Sequence, residues 1–119
     1  MKEGELKMKN YVKGHGELTY KNTTGSAIVS GDVVPLTNRI SIANGDIAND
    51  ETGMVWTIGQ FSLKKKTSDV IAQDAKVYWD TTNKEITTTV GSNKFAGLAA
   101  TAQLSGDTKV TIDINQGAA

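Results

Sequence analysis

Q-D-A-K-V-Y-W-D-T-T-N-K-E-I-T-T-T-V, residues 73–90, reads as two strands joined by a tight turn. Lys76-Val77-Tyr78-Trp79 is aromatic and β-branched, residues 80–84 carry turn chemistry, and Glu85-Ile86-Thr87-Thr88-Thr89-Val90 is a second β-rich run. Ile86, Thr88 and Val90 share one face of that run, and Glu85, Thr87 and Thr89 the other. A hairpin with one wet face needs a partner sheet over its dry one, so the flanking chain is expected to supply more strands.

Upstream, Glu17-Leu18-Thr19-Tyr20 places Leu18 and Tyr20 on one side, and Ala27-Ile28-Val29 follows the turn at Asn22-Thr23-Thr24-Gly25. Val33-Val34-Pro35-Leu36 must be an edge strand or end at Pro35, which has no N–H for a ladder. Arg39-Ile40-Ser41-Ile42-Ala43 turns Ile40 and Ile42 inward. Residues 54–63 form the longest strand candidate, with Met54, Trp56 and Ile58 on one face and a bulge at Gly59 that shifts the alternation to Phe61 and Leu63. Lys64-Lys65-Lys66 reads as its solvated end, and residues 68–72 as one helical turn capped by Ser68 or Asp69. Downstream, the small residues of Lys94-Phe95-Ala96-Gly97-Leu98-Ala99-Ala100 imply close packing against a neighbouring strand. Lys109-Val110-Thr111-Ile112-Asp113-Ile114 alternates cleanly, and residues 115–119 read as a short tail.

Strand after strand, with turns every ~8–12 residues, predicts an all-β fold. The expectation is one small β-barrel or jelly-roll-like sandwich of about eight short strands over residues 13–119, preceded by an extended N-terminal arm over residues 1–12. A chain of 119 residues can bury one real core, and its 38% hydrophobic content leaves room for abundant Thr, Ser, Asn and Gly. Thirteen basic residues cancel thirteen acidic ones, which disfavours general nucleic-acid binding. No cysteine is present for disulfides or thiolate metal sites, and no apolar run is long enough to span a membrane.

Candidates for chemistry are sparse. His15, between two glycines, has no evident acid partner or second ligand. Asp46, Asp50 and Glu51 share a loop but lack the spacing of a calcium-binding hand, so turn chemistry is the expected role. Trp56 and Trp79 have the rings to stack a sugar or a base, yet both sit in apolar strand patterns that favour the core. No phosphate-cradling glycine loop and no nucleophile elbow occurs. No catalytic residue, metal or cofactor is therefore expected.

The run at residues 73–90, Ser30-Gly31-Asp32-Val33-Val34, Phe61-Ser62-Leu63-Lys64, Gly97-Leu98-Ala99 and Gly106-Asp107-Thr108-Lys109-Val110 resemble, in that order, a family of tailed-phage capsid cement, or head-decoration, proteins. Their genes are often labelled automatically as RecA/RadA-type recombinases, a label that these residues do not fit. Members commonly begin Met-Lys-Asn-Tyr-Val, matched here by Met8-Lys9-Asn10-Tyr11-Val12, so the likeness runs from Met8 to about Asn115. The chain departs from the family pattern at Ile40-Ser41-Ile42-Ala43, where a glycine is common, and in the additional residues 1–7.

What the resemblance implies is a non-enzymatic β-rich protein on the outer capsid surface of the virion, made in the host cytoplasm. It would bridge major capsid protein subunits and bind neither nucleic acid nor membrane directly. A homotrimer is the expected assembly, with a dimer second. The arm's role does not carry over from the family. From its own residues, those expected to touch the capsid are Lys7, Met8, Lys9, Asn10, Tyr11 and Val12, with Tyr11 as apolar anchor and Lys7 and Lys9 facing acidic loops. The alternatives are a β-rich module that binds carbohydrate or another ligand, and a component of another phage assembly such as the tail.

Overall fold

The computed structural model describes residues 16–117. Within them the chain forms nine strands and no helix. They are β1 (Glu17–Lys21), β2 (Val33–Pro35), β3 (Ile40–Ala43), β4 (Thr52–Trp56), β5 (Gln60–Lys64), β6 (Lys76–Asp80), β7 (Glu85–Thr87), β8 (Lys94–Ala99) and β9 (Lys109–Ile114). The first four make one antiparallel sheet in the order β1-β4-β3-β2, and the last five make another in the order β5-β9-β8-β6-β7. The result is a sandwich rather than a closed barrel, with strands sorted between the sheets by their place in the chain.

The hairpin at residues 73–90 forms as read, with Tyr78 opposite Thr87, Trp79 opposite Ile86 and Asp80 opposite Glu85. Its turn is held by the Asp80 carboxylate, which accepts from the N–H groups of Thr82 (2.9 Å) and Asn83 (3.1 Å) and from the Asn83 side-chain amide. The second strand is shorter than expected. It ends at Thr87, and Val90 lies exposed beyond it. Pro35 ends β2, and β2 is an edge, so the proline meets both of its constraints.

The larger core lies between the sheets. Ile40 and Ile42 from β3 meet Leu63, Val77, Trp79, Ile86, Val110, Ile112 and Ile114 of the second sheet, with Ile71 from a loop. Each fully buried aliphatic side chain contributes about 1.5–3 kcal/mol relative to an exposed one. A smaller core covers the opposite face of the first sheet, where Val34, Ala43 and Val55 pack with Ile28 and Ile47 from the connecting loops. Strand β3 is therefore buried on both faces. The buried Asn22 shapes one of those loops, donating to the carbonyls of Ser26 (2.7 Å) and Ile47 (2.9 Å) while accepting from Thr24.

Residues 54–63 are two strands in different sheets, not one bulged strand. Thr57, Ile58 and Gly59 carry the chain from β4 to β5, with Gly59 in a left-handed conformation (φ 125°). The inward residue of β4 is Val55; Met54 and Trp56 are only half-buried. The smaller core reverses the expected facing, because it asks for burial on the side that a single-core reading left to solvent. Ile28 forms a lone bridge to Ile47 rather than a strand, and Val29 is exposed. Residues 68–72 contain no helical turn; Ile71 instead bridges Gln103.

The expected solvated end at Lys64-Lys65-Lys66 also needs correction. Lys65 is fully buried. The second sheet curls until its edge strands meet at one place, where Lys65 bridges Ile86 and the Lys66 N–H donates to the Ile86 carbonyl (2.8 Å). At this seam the Lys65 ammonium turns inward and donates to the carbonyls of Lys66 (2.7 Å), Thr67 (3.1 Å) and Asp69. Three acceptors match its three N–H donors.

The Asp69 carboxylate then fastens this loop to β7, accepting from the Thr87 hydroxyl (2.7 Å) and the Thr88 N–H (3.0 Å). Burial pushes the Asp69 carboxyl up, but those hydrogen bonds and the Lys66 charge together hold it below its ordinary 3.8. Asp80 and Asp107 are also held low, chiefly by the N–H groups of Asn83 and Leu104. A carboxyl depressed in the folded state stabilises fully above its unfolded value and loses that contribution as the pH falls through its folded one. Urea midpoints measured against pH should therefore decline below about 3.8. Asp69→Asn should flatten part of that acid-side decline; a slope identical to wild type would show that Asp69 carries none of it.

Asn115, expected in a tail, joins the two sheets. Its side chain donates to the carbonyls of Ile40 (2.7 Å) and Thr57 (2.7 Å) and accepts from the Ile40 N–H (3.1 Å). Its own N–H donates to the Ala96 carbonyl (2.7 Å), so one residue following β9 ties β3, the β4–β5 corner and β8 together.

Candidate functional site

A cleft of about 840 Å³ opens on the flank of the sandwich, where the seam of the second sheet widens beside β2. Tyr20, Val33 and Pro35 line it from the first sheet, and Leu63, Trp79 and Thr81 from the second. Lys64 reaches it from β5, Lys84 from the β6–β7 turn and Lys109 from β9. Asp32 is the one acidic residue of its lining, and its carboxylate already accepts the Val29 N–H (2.9 Å). Trp79 contributes only an edge, being 7% exposed, so its ring belongs to the core and is no stacking platform.

Sequence reasoning did not find this cleft. Lys84 stands 20 residues from Lys64 and 25 from Lys109, and only the nonlocal β5–β9 pairing and the Lys65–Ile86 bridge from the end of β5 to β7 bring them to one place. The opposite-strand placement of Lys64 and Lys109 appears only once the β5–β9 register is known.

The six residues expected to meet the capsid, Lys7, Met8, Lys9, Asn10, Tyr11 and Val12, lie outside the described residues, as does His15. Asp46 serves its turn, accepting the Ser30 N–H (2.8 Å), and Asp50 has a left-handed backbone (φ 68°) in its own. Among the described residues, no group of three or more His, Asp or Glu side chains is placed to hold a metal ion. Two exposed apolar side chains, Val70 (63% exposed) and Leu104 (69%), stand on loops tied together by the Ile71–Gln103 bridge and by the Gly106 N–H to the Thr67 carbonyl (2.9 Å).

A family model described as phage cement protein matches residues 12–114. The chain belongs to the phage cement protein family. The match takes in all nine strands, the cleft and the Lys65 seam, and begins at the last residue of the expected arm. The cement family is a structural one, associated with the capsid of the virion. No curated protein and no solved structure matches the chain.

Proposed function

We propose that this cement protein binds the outer surface of a phage head and stabilises it by bridging neighbouring major capsid protein subunits, without catalysing a reaction. The family match over residues 12–114 carries the reading. Physical reasoning supports it. A protein that binds only the mature lattice shifts the equilibrium towards that lattice. Many identical sites let modest contacts accumulate over a shell. The domain suits this work, having two hydrophobic cores that share strand β3.

In this reading residues 1–12 form an arm, and residues 13–119 the domain that it serves. Lys7, Met8, Lys9, Asn10, Tyr11 and Val12 make the main lattice contact, Tyr11 as the apolar anchor, by adding an extended segment to an exposed capsid edge. The protein is synthesised in the host cytoplasm and assembles as a homotrimer, with a dimer the second choice.

Deletion of residues 1–12 tests the arm. Binding to heads that lack the protein should be lost while the melting transition stays where it was. Unchanged occupancy would remove the arm from the contact, and failure of the full chain to bind heads would end the capsid reading itself. A cryo-electron microscopy map of decorated heads would give the oligomer and the contacting face directly.

A further inference from the structure

Lys64 and Lys109 are directly opposite one another across β5 and β9, an arrangement that is unfavourable when nothing neutralises it. Both are exposed, and neither makes an ion pair within the described residues; the same holds for Lys84. Lys84 holds its place by a left-handed backbone (φ 55°) and a hydrogen bond from its N–H to the Asp80 carbonyl (2.7 Å). All three line the cleft beside β2, where the single aspartate is occupied by its own turn. In a chain whose charges cancel, thirteen against thirteen, this is a local excess of positive charge beside the accessible apolar side chains of Val33 and Pro35. The cleft is bordered by two edge strands, β2 and β5.

We propose that this cleft receives an extended acidic segment of the capsid surface, with carboxylates neutralising Lys64, Lys84 and Lys109 and an adjacent apolar side chain against Val33 and Pro35. The proposal rests on the capsid-binding reading and gives it a second contact, separate from the arm. A protein carboxylate is favoured over nucleic-acid phosphate because the three lysines form no stripe long enough to follow a phosphate backbone. Removing the Lys64–Lys109 repulsion leaves the fold intact or firmer, so loss of binding is separable from loss of structure.

The test uses the full chain and heads that lack it, comparing wild type with a triple variant, Lys64→Ser, Lys84→Asn and Lys109→Ser. Asparagine tolerates the left-handed backbone at position 84. The variant should melt no lower than wild type and bind heads on the order of tenfold to a hundredfold more weakly at low salt. The wild-type affinity should fall as salt rises, and the variant's much less. Lys84→Asn alone, on an exposed turn, should lose a few-fold and serves as the independent check if the triple variant folds poorly. Equal binding by wild type and variants, with equal salt dependence, would overturn the cleft while leaving the capsid reading standing. Failure of wild type to bind heads would overturn both. Oligonucleotide binding by wild type that the triple variant loses, with head binding unchanged, would reassign the cleft to phosphate and overturn the proposal.

Discussion

Gly97→Ala is expected to abolish the cooperative fold. Gly97 sits in β8 with φ 143°, and a Cβ there would stand 2.0 Å from the Asp113 carbonyl oxygen and 2.9 Å from the Asn115 nitrogen. Both obstacles are backbone, so no side-chain rotamer relieves the clash. Strand β9 cannot retreat either, because β5 holds it from the other side through the Phe61–Ile112 and Leu63–Val110 pairs. Any shift at residue 115 would also loosen the Asn115 hydrogen bonds to Ile40 and Thr57. The cost should exceed about 4 kcal/mol, a large fraction of the ~5–15 kcal/mol that a domain of this kind possesses. Urea denaturation followed by tryptophan fluorescence should show no folded baseline, or a midpoint close to zero. Gly45→Ala is the matched control, since an added Cβ there meets nothing within 4 Å. Equal midpoints for the two variants would refute the close approach of β8 and β9.

The second large effect is expected from Lys65→Met. Methionine has nearly the same length and bulk, so it leaves no sizeable cavity, and what disappears is the ammonium. The carbonyls of Lys66, Thr67 and Asp69 then lose their shared donor. Hydrogen bonds to a charged group are worth about 1.5–3 kcal/mol each, and the loop can recover part of the loss by opening to water. A net destabilisation of about 2–4 kcal/mol follows. The damage should be local first. Hydrogen exchange at the Lys66 N–H, which bonds the Ile86 carbonyl across the seam, should accelerate beyond what global unfolding explains. Opening that seam also exposes the free edges of β5 and β7 and should raise the tendency to aggregate. Wild-type midpoint and wild-type exchange at Lys66 would show that the buried ammonium contributes nothing.

Most strands were legible because period-two alternation is a local property. The inward set Val110, Ile112 and Ile114 follows from it. The hairpin at residues 73–90 adds β-branched and turn chemistry, and the strand ending at Pro35 follows from the proline's missing N–H, which are local signals too. Lys65 was missed because three adjacent lysines suggest solvent. Yet Leu63 and Lys65 are two apart on one strand face, and extending the alternation by one step would have pointed the lysine inward. The facing of β4 was misread for a different reason: a second core behind β3 reverses which side needs apolar residues. Asn115 carried no local signal, since its partner Ile40 is 75 residues away. The cleft was invisible for the same cause, its lysines being gathered only by strand pairing.

Because Asn115 follows the ninth strand, the two layers cannot be fastened to each other until both have left the ribosome. The four-stranded layer emerges first and must wait with Ile40 and Ile42 uncovered, so translation itself decides how long that greasy surface is open to wrong partners. A chain interrupted before this asparagine would carry both layers but lack their clasp, and so would be an easy mark for host proteases before it could compete for a place on a shell.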